Sequence, residues 1–499
     1  MKKVIIVGAG IAGLAAGVYA RQSGFDVTIL EQHTIPGGNS TSWRRGGYLF
    51  EGGMHWLNGS SPKTPLHTLW RKTGAVNDTT PIYNSDPFIT YIDGEKKVCL
   101  YRDPERMKEH FLEVSPEDRK EIMTFYRDLR KFQKLKVPIF DLFGLRVRKR
   151  TFPSLPLLFD LLGVLPRLTA LKKISTIEYA DRFRNPAIRA LIKSSVNGQF
   201  SGTSLMFTLG GFAGGDGGYP EGGSLQMAVR MADFFKSLGG EIRYSARVEK
   251  IKTEKGMAGG VIADGNFLPA DAVIVTADTL TAIDKFFDEP LRDPWMNTMR
   301  KKTLLVVNTF ISLGIEADLS DKPEKMILPL EKPFTYAGVT VSSVTLNNYA
   351  AYDGYAPKGA SACTVMLGGD TYDYWKQCRD EGTYKKEKEA LAKVIIERLS
   401  EKLPEIKDKV RVWDVATPLT YERYCGTYRG SWMTILGKRI PQTQYPCKPK
   451  SFSNVYFAGQ RMYLPGGLPV AVMTGRRAVQ YLCRDTGTVF EGKLQEPGR

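Results

Sequence analysis

The sequence predicts an α/β fold in which a parallel-sheet lobe, assembled from separate stretches of chain, is joined to a mixed α+β lobe. Three observations carry this prediction: a strand, glycine loop, helix and strand at residues 4–31, a second glycine-rich stretch at 210–224, and a strand, loop and helix at 454–482. A chain of 499 residues also exceeds the size at which a single core stops growing. We therefore expect two or three lobes.

The first unit reads VIIVGAGIAGLAAGVYARQSGFDVTILE. Gly8 permits a tight turn, Gly10 lets the backbone approach a pyrophosphate, and Gly13 brings helix and strand close together. The N–H groups at the start of the helix favour phosphate. Glu31 closes the second strand, where a carboxylate accepts hydrogen bonds from ribose hydroxyls. Strand, glycines, helix and acid together predict a Rossmann-like dinucleotide site.

The elements that follow alternate between glycine-rich loops and regular structure. Paired glycines at 37–38, 46–47 and 52–53 allow backbone to lie against a flat ligand. Alternating residues from 82 to 101 around Asp-Gly predict a hairpin. Ser115 followed by proline and acids predicts the start of a helix.

The second half repeats strand and helix signals. A helix is predicted after the second glycine-rich stretch, then a strand through Val248 and a hairpin with a buried strand within 260–277. An amphipathic helix is predicted near 385–403. The last segment predicts a strand ending at Gly459 and a helix from about Leu468, whose free N-terminal amides favour negative charge on a bound ring.

These elements divide the chain into five stretches that alternate between two lobes. The predicted stretches are 1–80, 202–278 and 420–499 for the nucleotide lobe, and 81–201 and 279–419 for the substrate lobe.

Composition excludes several classes of protein. The six cysteines form no CxxC and the four histidines have no metal-ligand spacing, so we expect neither a redox dithiol nor a metal site. Six cysteines without a CxxC favour a reducing compartment, and the glycine-interrupted N-terminus does not resemble a signal peptide. No apolar run reaches about 18 residues, the length of a membrane span. These features predict a cytoplasmic protein.

The net charge of +17 is concentrated in one segment. Residues 127–173 hold twelve basic residues against three acidic ones, and Arg148, Lys149 and Arg150 precede an apolar stretch that begins at Phe152. Such a segment suits the surface of an anionic membrane, and a buried helix with a solvated basic edge is the alternative. We expect a peripheral position on the inner membrane face. No nucleic-acid motif accompanies the charge, so nucleic acid is not an expected partner.

The glycine motif with Glu31, the GG loop, the YPEGGS helix entry and the AGQ…PGGLP segment together resemble FAD-dependent enzymes of the phytoene desaturase family, over nearly the whole chain. FEGGMHWLNG and TPLTYERYCGTYRGS are more similar to the retinol saturase and carotenoid isomerase branch. The resemblance implies a glutathione reductase-like FAD lobe and a lobe for an apolar polyene, isoprenoid or retinoid. It also implies an oxidoreductase that desaturates, saturates or isomerises carbon–carbon bonds.

The resemblance also assigns FAD contacts along the chain. Three glycine-loop segments and the C-terminal segment would meet the pyrophosphate, ribose, adenine and ring: Gly8, Gly10, Ala12, Gly13, Glu31, Gly38, Asn39, Arg45, Gly53, Met54, His55, Val248, Gly459, Gln460, Leu468, Pro469 and Val470. The chain departs from the family at Asn39, where an arginine is usual, and Arg45 is a candidate substitute. It departs again after Ser431, where Trp432 and Met433 replace the family's Tyr-Gly pair, so the shape of the substrate pocket is not carried over from the family.

Hydride transfer at a flavin leaves the protein to orient the substrate and to move a proton. The candidate proton-transferring residues are His55, Tyr428 and Tyr463, for which flavin hydrogen bonding or packing are the alternatives. No second nucleotide motif follows a strand, so we expect an external electron donor or acceptor. Two other functions stay open: a flavin amine oxidase, and an FAD-free prenyl-binding protein like the Rab GDP-dissociation inhibitors.

Overall fold

The computed structural model describes residues 1–136, 138–147, 155–441 and 443–492, with no side-chain description for 155–161. Arg148, Lys149, Arg150 and Phe152 of the predicted membrane segment lie outside the described residues. The α/β prediction is confirmed, because a parallel sheet and a larger mixed sheet organise the chain.

The strands are, in chain order, β1 Lys3–Val7, β2 Asp26–Leu30, β3 Ser42–Arg45, β4 Tyr48–Glu51, β5 Ile82–Tyr83, β6 Ile89–Asp93, β7 Lys96–Leu100, β8 Tyr219–Pro220, β9 Glu241–Arg243, β10 Val248–Glu254, β11 Met257–Ala263, β12 Asn266–Pro269, β13 Ala272–Val275, β14 Leu304–Val306, β15 Asn308–Ile315, β16 Lys325–Tyr336, β17 Val339–Asn348, β18 Ser361–Gly368, β19 Val410–Ala416, β20 Met433–Ile435 and β21 Val455–Phe457.

The α-helices are α1 Ile11–Gln22, α2 Pro65–Lys72, α3 Pro104–Val114, α4 Arg119–Phe132, α5 Leu155–Leu171, α6 Thr176–Ala180, α7 Pro186–Ser195, α8 Gly202–Ala213, α9 Gly223–Ser237, α10 Thr279–Lys285, α11 Pro294–Lys302, α12 Tyr372–Asp380, α13 Tyr384–Lys402, α14 Pro418–Cys425 and α15 Leu468–Thr486. Short 3-10 turns occur at Pro116–Asp118, Pro404–Ile406, Tyr428–Gly430 and Gln460–Met462.

A five-stranded parallel sheet with the order β21-β13-β1-β2-β9 forms the nucleotide lobe. Its central strands are runs of buried aliphatic residues, as expected for a parallel sheet covered on both faces. Helix α1 packs against α9 and α15, so the first and last parts of the chain share one core. The three-stranded sheet β10-β11-β12 packs beside it.

A seven-stranded mixed sheet, β19-β15-β18-β17-β16-β6-β7, forms the second lobe. The parallel pairing of β16 with β6 brings the hairpin of β6 and β7 onto a strand that comes much later in the chain. Helices α3, α4, α7 and α8 pack around a second apolar core that includes β6 and β7 residues. The two stretches assigned to the substrate lobe thus share a sheet, while the lobe boundaries stay a prediction.

Most predicted elements occur close to the expected positions. The hairpin around Asp93-Gly94 is confirmed by β6 and β7, and the amphipathic helix near 385–403 is confirmed by α13. At Ser115 the sequence signal starts a 3-10 turn before α4, because Asp118 is buried and accepts backbone N–H groups from Arg184 and Asn185 instead of capping a helix. Among the described helices, none is both long and apolar enough to cross a bilayer.

Candidate functional site

A large cavity of about 1370 Å³ is lined by residues of both lobes. Its lining includes every sequence-predicted site residue except Gly13 and Arg45. Residues that are far apart in the chain therefore meet at one site, at the ends of β1, β2, β13 and β21, where parallel sheets bind ligands.

The nucleotide end of the cavity is built from the first strand, loop and helix. Gly8 has φ 103°, which favours glycine, and α1 begins after Gly10 with no side-chain cap, so its first N–H groups are available to a phosphate. A side chain at position 13 would overlap the Gly8 carbonyl and lie 2.7 Å from Thr276 Oγ1. Gly13 therefore serves the packing of helix on strand and does not line the cavity.

Glu31 lies at the end of β2 and is buried. Its Oε2 accepts the Ala9 N–H at 2.7 Å and its Oε1 accepts the His33 N–H at 2.8 Å. Burial raises the pKa of this carboxyl, while the backbone N–H groups oppose that rise. The carboxylate is thus fixed at the cavity wall, with Val248 at the start of β10 lining the same end. This placement suits an acceptor for ribose hydroxyls.

The loop after β4 presents Gly53, Met54 and His55 to the cavity. A Cβ on Gly53 would lie 3.0 Å from Ser224 Oγ and overlap the Asn39 carbonyl, so only glycine fits there. The conformation is held by Glu51, which is 1% exposed and whose carboxylate accepts the N–H groups of Gly53 at 2.9 Å and Met54 at 3.3 Å. Its other oxygen accepts the Ser224 N–H at 3.0 Å and the Tyr219 hydroxyl at 2.5 Å.

The C-terminal segment supplies the opposite wall. Gly459 has φ 139°, and Gln460 follows it in a 3-10 turn. Helix α15 begins at Leu468 after Gly467 with no side-chain cap, and Leu468, Pro469 and Val470 line the cavity. The uncapped N–H groups at the start of α15 would present positive partial charges to a ligand in the cavity.

The departure at position 39 has a structural consequence. Gly38 and Asn39 line the cavity, and the buried Asn39 Oδ1 has no hydrogen-bond partner among the described residues. Arg45 lies on β3 with 59% of its side chain exposed, 3.5 Å from Asp414 Oδ2. The structure thus places Arg45 outside the cavity, because the β3–β4 hairpin carries it toward β19, and it does not support a phosphate contact by this residue.

The three candidate proton-transferring residues all line the cavity. His55 lies among the rings of Phe310 and Trp432, with centroids 6.3 and 5.9 Å away. Burial, with a smaller effect of the Lys325 charge, lowers the His55 pKa to about 3. A neutral imidazole at pH 7 argues against His55 as a protonated acid. Tyr428 is exposed, and Tyr463 directly follows the 3-10 turn that begins at Gln460.

Sequence reasoning missed three functional features. Glu51 directly precedes the predicted glycine loop, which was a usable signal. Arg461, next to the predicted Gln460, forms a fully buried ion pair with Asp278, and its Nη1 finds no partner among the described residues. Lys325, at the start of β16, also lines the cavity. No local pattern in the sequence marks Lys325, because it reaches the site only through the pairing of distant strands.

These observations fit a flavin dinucleotide. Two uncapped helix N-termini, positions where only glycine fits and an unpartnered buried oxygen line one cavity. In contrast, the described residues contain no group of three or more side chains that could hold a metal ion.

Comparisons with known proteins agree with this geometry. A family model described as flavin containing amine oxidoreductase matches residues 11–483. The chloroplastic prolycopene isomerase of Daucus carota is 25% identical over 97% of this chain and 80% of its own length. The all-trans-retinol 13,14-reductase of Danio rerio is 23% identical over 93% of this chain and 83% of its own. The predicted resemblance is confirmed.

A solved structure shares the fold. A mutant form of putrescine oxidase superposes with a TM-score of 0.63 at 16% identity, over 97% of this chain and 99% of its own. At this identity the likeness concerns the fold alone.

Proposed function

The chain belongs to the flavin containing amine oxidoreductase family, and on that premise we propose that it desaturates, saturates or isomerises carbon–carbon bonds of a long apolar polyene, isoprenoid or retinoid-like lipid. It is an FAD-dependent oxidoreductase. The flavin-containing family argues against the FAD-free binding protein. Relatives named for carotenoid and retinoid chemistry span nearly the whole chain, which supports the polyene substrate.

The observation that carries the proposal is the composition of the cavity beyond the flavin segments. The same cavity that holds the nucleotide loop is lined by apolar and aromatic side chains from both lobes: Trp56, Leu135, Phe200, Phe207, Val306, Met366, Met433 and Leu436. A long apolar substrate would bury these surfaces. An alkylammonium substrate would instead meet the cationic Lys325 in the same cavity, which disfavours the amine oxidase alternative.

FAD supplies hydride transfer when bound. The residues of the chain bind the cofactor and shape the site around the substrate. Glu31 would bind the ribose, the N-termini of α1 and α15 would bind the pyrophosphate and the ring oxygens, and the loop held by Glu51 would contact the ring. The rings around His55 would exclude water from the reacting carbons of a bound substrate.

Flavin titration tests this proposal. The purified yellow protein, photoreduced or oxidised under anaerobic conditions, is mixed with a carotenoid, a retinoid, an unsaturated fatty acid or an amine. We expect the flavin spectrum to change with a polyene. A response to amines alone would overturn the proposal. The external electron donor or acceptor stays a prediction and is identified by which reductant or oxidant completes turnover.

We propose further that the protein works at an anionic membrane surface, on the inner face. Helix α5 exposes Leu162 and Leu165 and packs against α8, whose Phe207 lines the cavity. A lipid substrate would then enter from the bilayer. Liposome co-sedimentation should increase with anionic lipid, weaken with salt and fall in Leu162→Asp, while Met257→Asp, at an exposed position on β11, serves as control. The proposal is contradicted if co-sedimentation does not depend on the charge of the lipid and is unchanged in Leu162→Asp.

A further inference from the structure

Lys325 is a cation inside the cavity. Its ammonium lies 5.2 Å from the centroid of the Phe88 ring and 5.6 Å from that of Trp56. Such cation–π contacts stabilise a protonated lysine. Burial lowers its pKa to about 8, so the side chain is still mostly charged at pH 7.

No carboxylate of the described residues forms an ion pair with Lys325, and burial alone accounts for its lowered pKa. The acid next to it in the chain and two acids that line the same cavity have other partners. Glu324, its neighbour in the chain, accepts the Tyr352 hydroxyl at 2.7 Å. Asp216 accepts the N–H groups of Gly59 and Ser61. Glu422 accepts the Tyr372 hydroxyl. Within the described part of the chain, the ammonium therefore lacks a protein anion.

Lys325 is half-buried, and a charge partly removed from water without a counter-charge is costly unless a partner arrives. The two rings recover part of that cost but supply no hydrogen-bond acceptor with a full negative charge. A protein that needed only an apolar wall here would gain from methionine or leucine at this position. A ligand with a negatively charged group would explain why a lysine, and not an apolar residue, occupies position 325.

The surrounding sheet face is consistent with one polar end in an otherwise apolar cavity. Lys325 pairs with Asn347 across β16 and β17, and Thr345 lies two residues along β17 on the same face. Both line the cavity. Met366 lines it from β18, and many of the other lining residues are aromatic or aliphatic. An elongated molecule with a single charged terminus matches this distribution.

We propose that the cavity binds an apolar polyene or isoprenoid chain that ends in a carboxylate, and that Lys325 is the residue that recognises this terminus. This inference rests on the proposed function and narrows its substrate class from a hydrocarbon to an acid. Lys325 positions the substrate and takes no part in bond changes.

The proposal fixes a pH dependence. The ligand carboxylate is ionised above about pH 5, and the ammonium is present below about pH 8. Affinity for the acid should be constant between these values and fall about tenfold per pH unit above pH 8, as the free protein loses the lysine proton. Affinity for an uncharged ester should not change across this range. The charged or titratable groups around Lys325 include Glu324, which accepts the Tyr352 hydroxyl, His55, which stays neutral here, and Arg102 beside Phe88, which stays charged.

The experiment measures binding to the FAD-loaded protein by quenching of tryptophan fluorescence. The probes are retinoic acid, its methyl ester and retinol, at pH 6 to 9.5. The variants are Lys325→Met and Lys325→Arg, and the matched control is Lys193→Met, a cavity-lining lysine already paired with Asp181 at 2.6 Å. The flavin spectrum confirms the fold of each variant.

We expect the wild type to bind the acid 10- to 100-fold more tightly than the ester. Lys325→Met should abolish this preference without a change above twofold for the ester, Lys325→Arg should retain most of it, and Lys193→Met should leave it intact. Equal affinities for acid and ester in the wild type, or a preference that survives Lys325→Met, overturns the inference and leaves the polyene function standing. Failure of all three probes to bind overturns both.

Discussion

Replacing Glu51 with glutamine tests whether one buried carboxylate fixes the loop that faces the flavin. The four donors to Glu51 are three backbone N–H groups and the Tyr219 hydroxyl. A glutamine amide replaces one acceptor oxygen by a second donor. In the better orientation its NH₂ faces Tyr219, whose hydroxyl turns to the Tyr355 hydroxyl 2.7 Å away, and the Ser224 N–H loses its acceptor.

The magnitude follows from this count. One buried N–H without an acceptor costs about 1–3 kcal/mol, and the remaining bonds lose the benefit of a charged acceptor. We expect Glu51→Gln to destabilise the protein by roughly 2–4 kcal/mol, which lowers the melting temperature by roughly 2–4 °C in a chain of 499 residues. Because the Gly53 loop loosens, the flavin content after gel filtration should also fall.

The assay is a thermal melt followed by circular dichroism, together with the absorbance ratio of flavin to protein. Glu324→Gln is the control, since Glu324 accepts the Tyr352 hydroxyl outside this loop. The reasoning is refuted if Glu51→Gln melts within about 1 °C of the wild type and retains its flavin, or if Glu324→Gln has the larger effect on flavin content.

Three further predictions test other parts of the site. Gly13→Ala should lose flavin and about 1–3 kcal/mol of stability by overpacking against Gly8, whereas Gly163→Ala, with open space around it, should not; equal melts would contradict this. Glu31→Gln should weaken FAD retention roughly tenfold by loss of a charged hydrogen-bond acceptor, as measured by dialysis, and unchanged retention would remove its ribose role. The folded protein holds His55 neutral with a pKa of about 3, whereas the unfolded chain takes up a proton on this residue below about pH 6.5. The free energy of unfolding should therefore fall by about 1.4 kcal/mol per pH unit below pH 6.5 because of His55. Thermal melts of His55→Gln at several pH values should lack this part of the acid dependence, and parallel curves for variant and wild type would refute the assignment.

The nucleotide end could be predicted from sequence because its signals are local. Gly8, Gly10 and Glu31 lie within one strand, loop, helix and strand, so their spacing already fixes their relative positions. The start of α15 at Leu468 was predictable for the same reason, since a glycine pair precedes an amphipathic run.

Other features depended on contacts that no local pattern encodes. Arg45 is close to the glycine loop in sequence, yet its hairpin turns it toward Asp414. The environment of His55 comes from Phe310 and Trp432, which lie on distant segments, so its lowered pKa could not be read from FEGGMHW.

The sequence by itself determined the fold class, the cofactor and most of the glycine positions that line the cavity, because each depends on backbone conformation over a few consecutive residues. Only the tertiary structure decided what surrounds the substrate. Lys325 lines the cavity because β16 pairs with β6 and β17. A role for its charge in ligand binding can be inferred only when its burial and the lack of a carboxylate partner among the described residues are known. Burial and electrostatic pairing are properties of neighbours in space, and the chain order does not contain them.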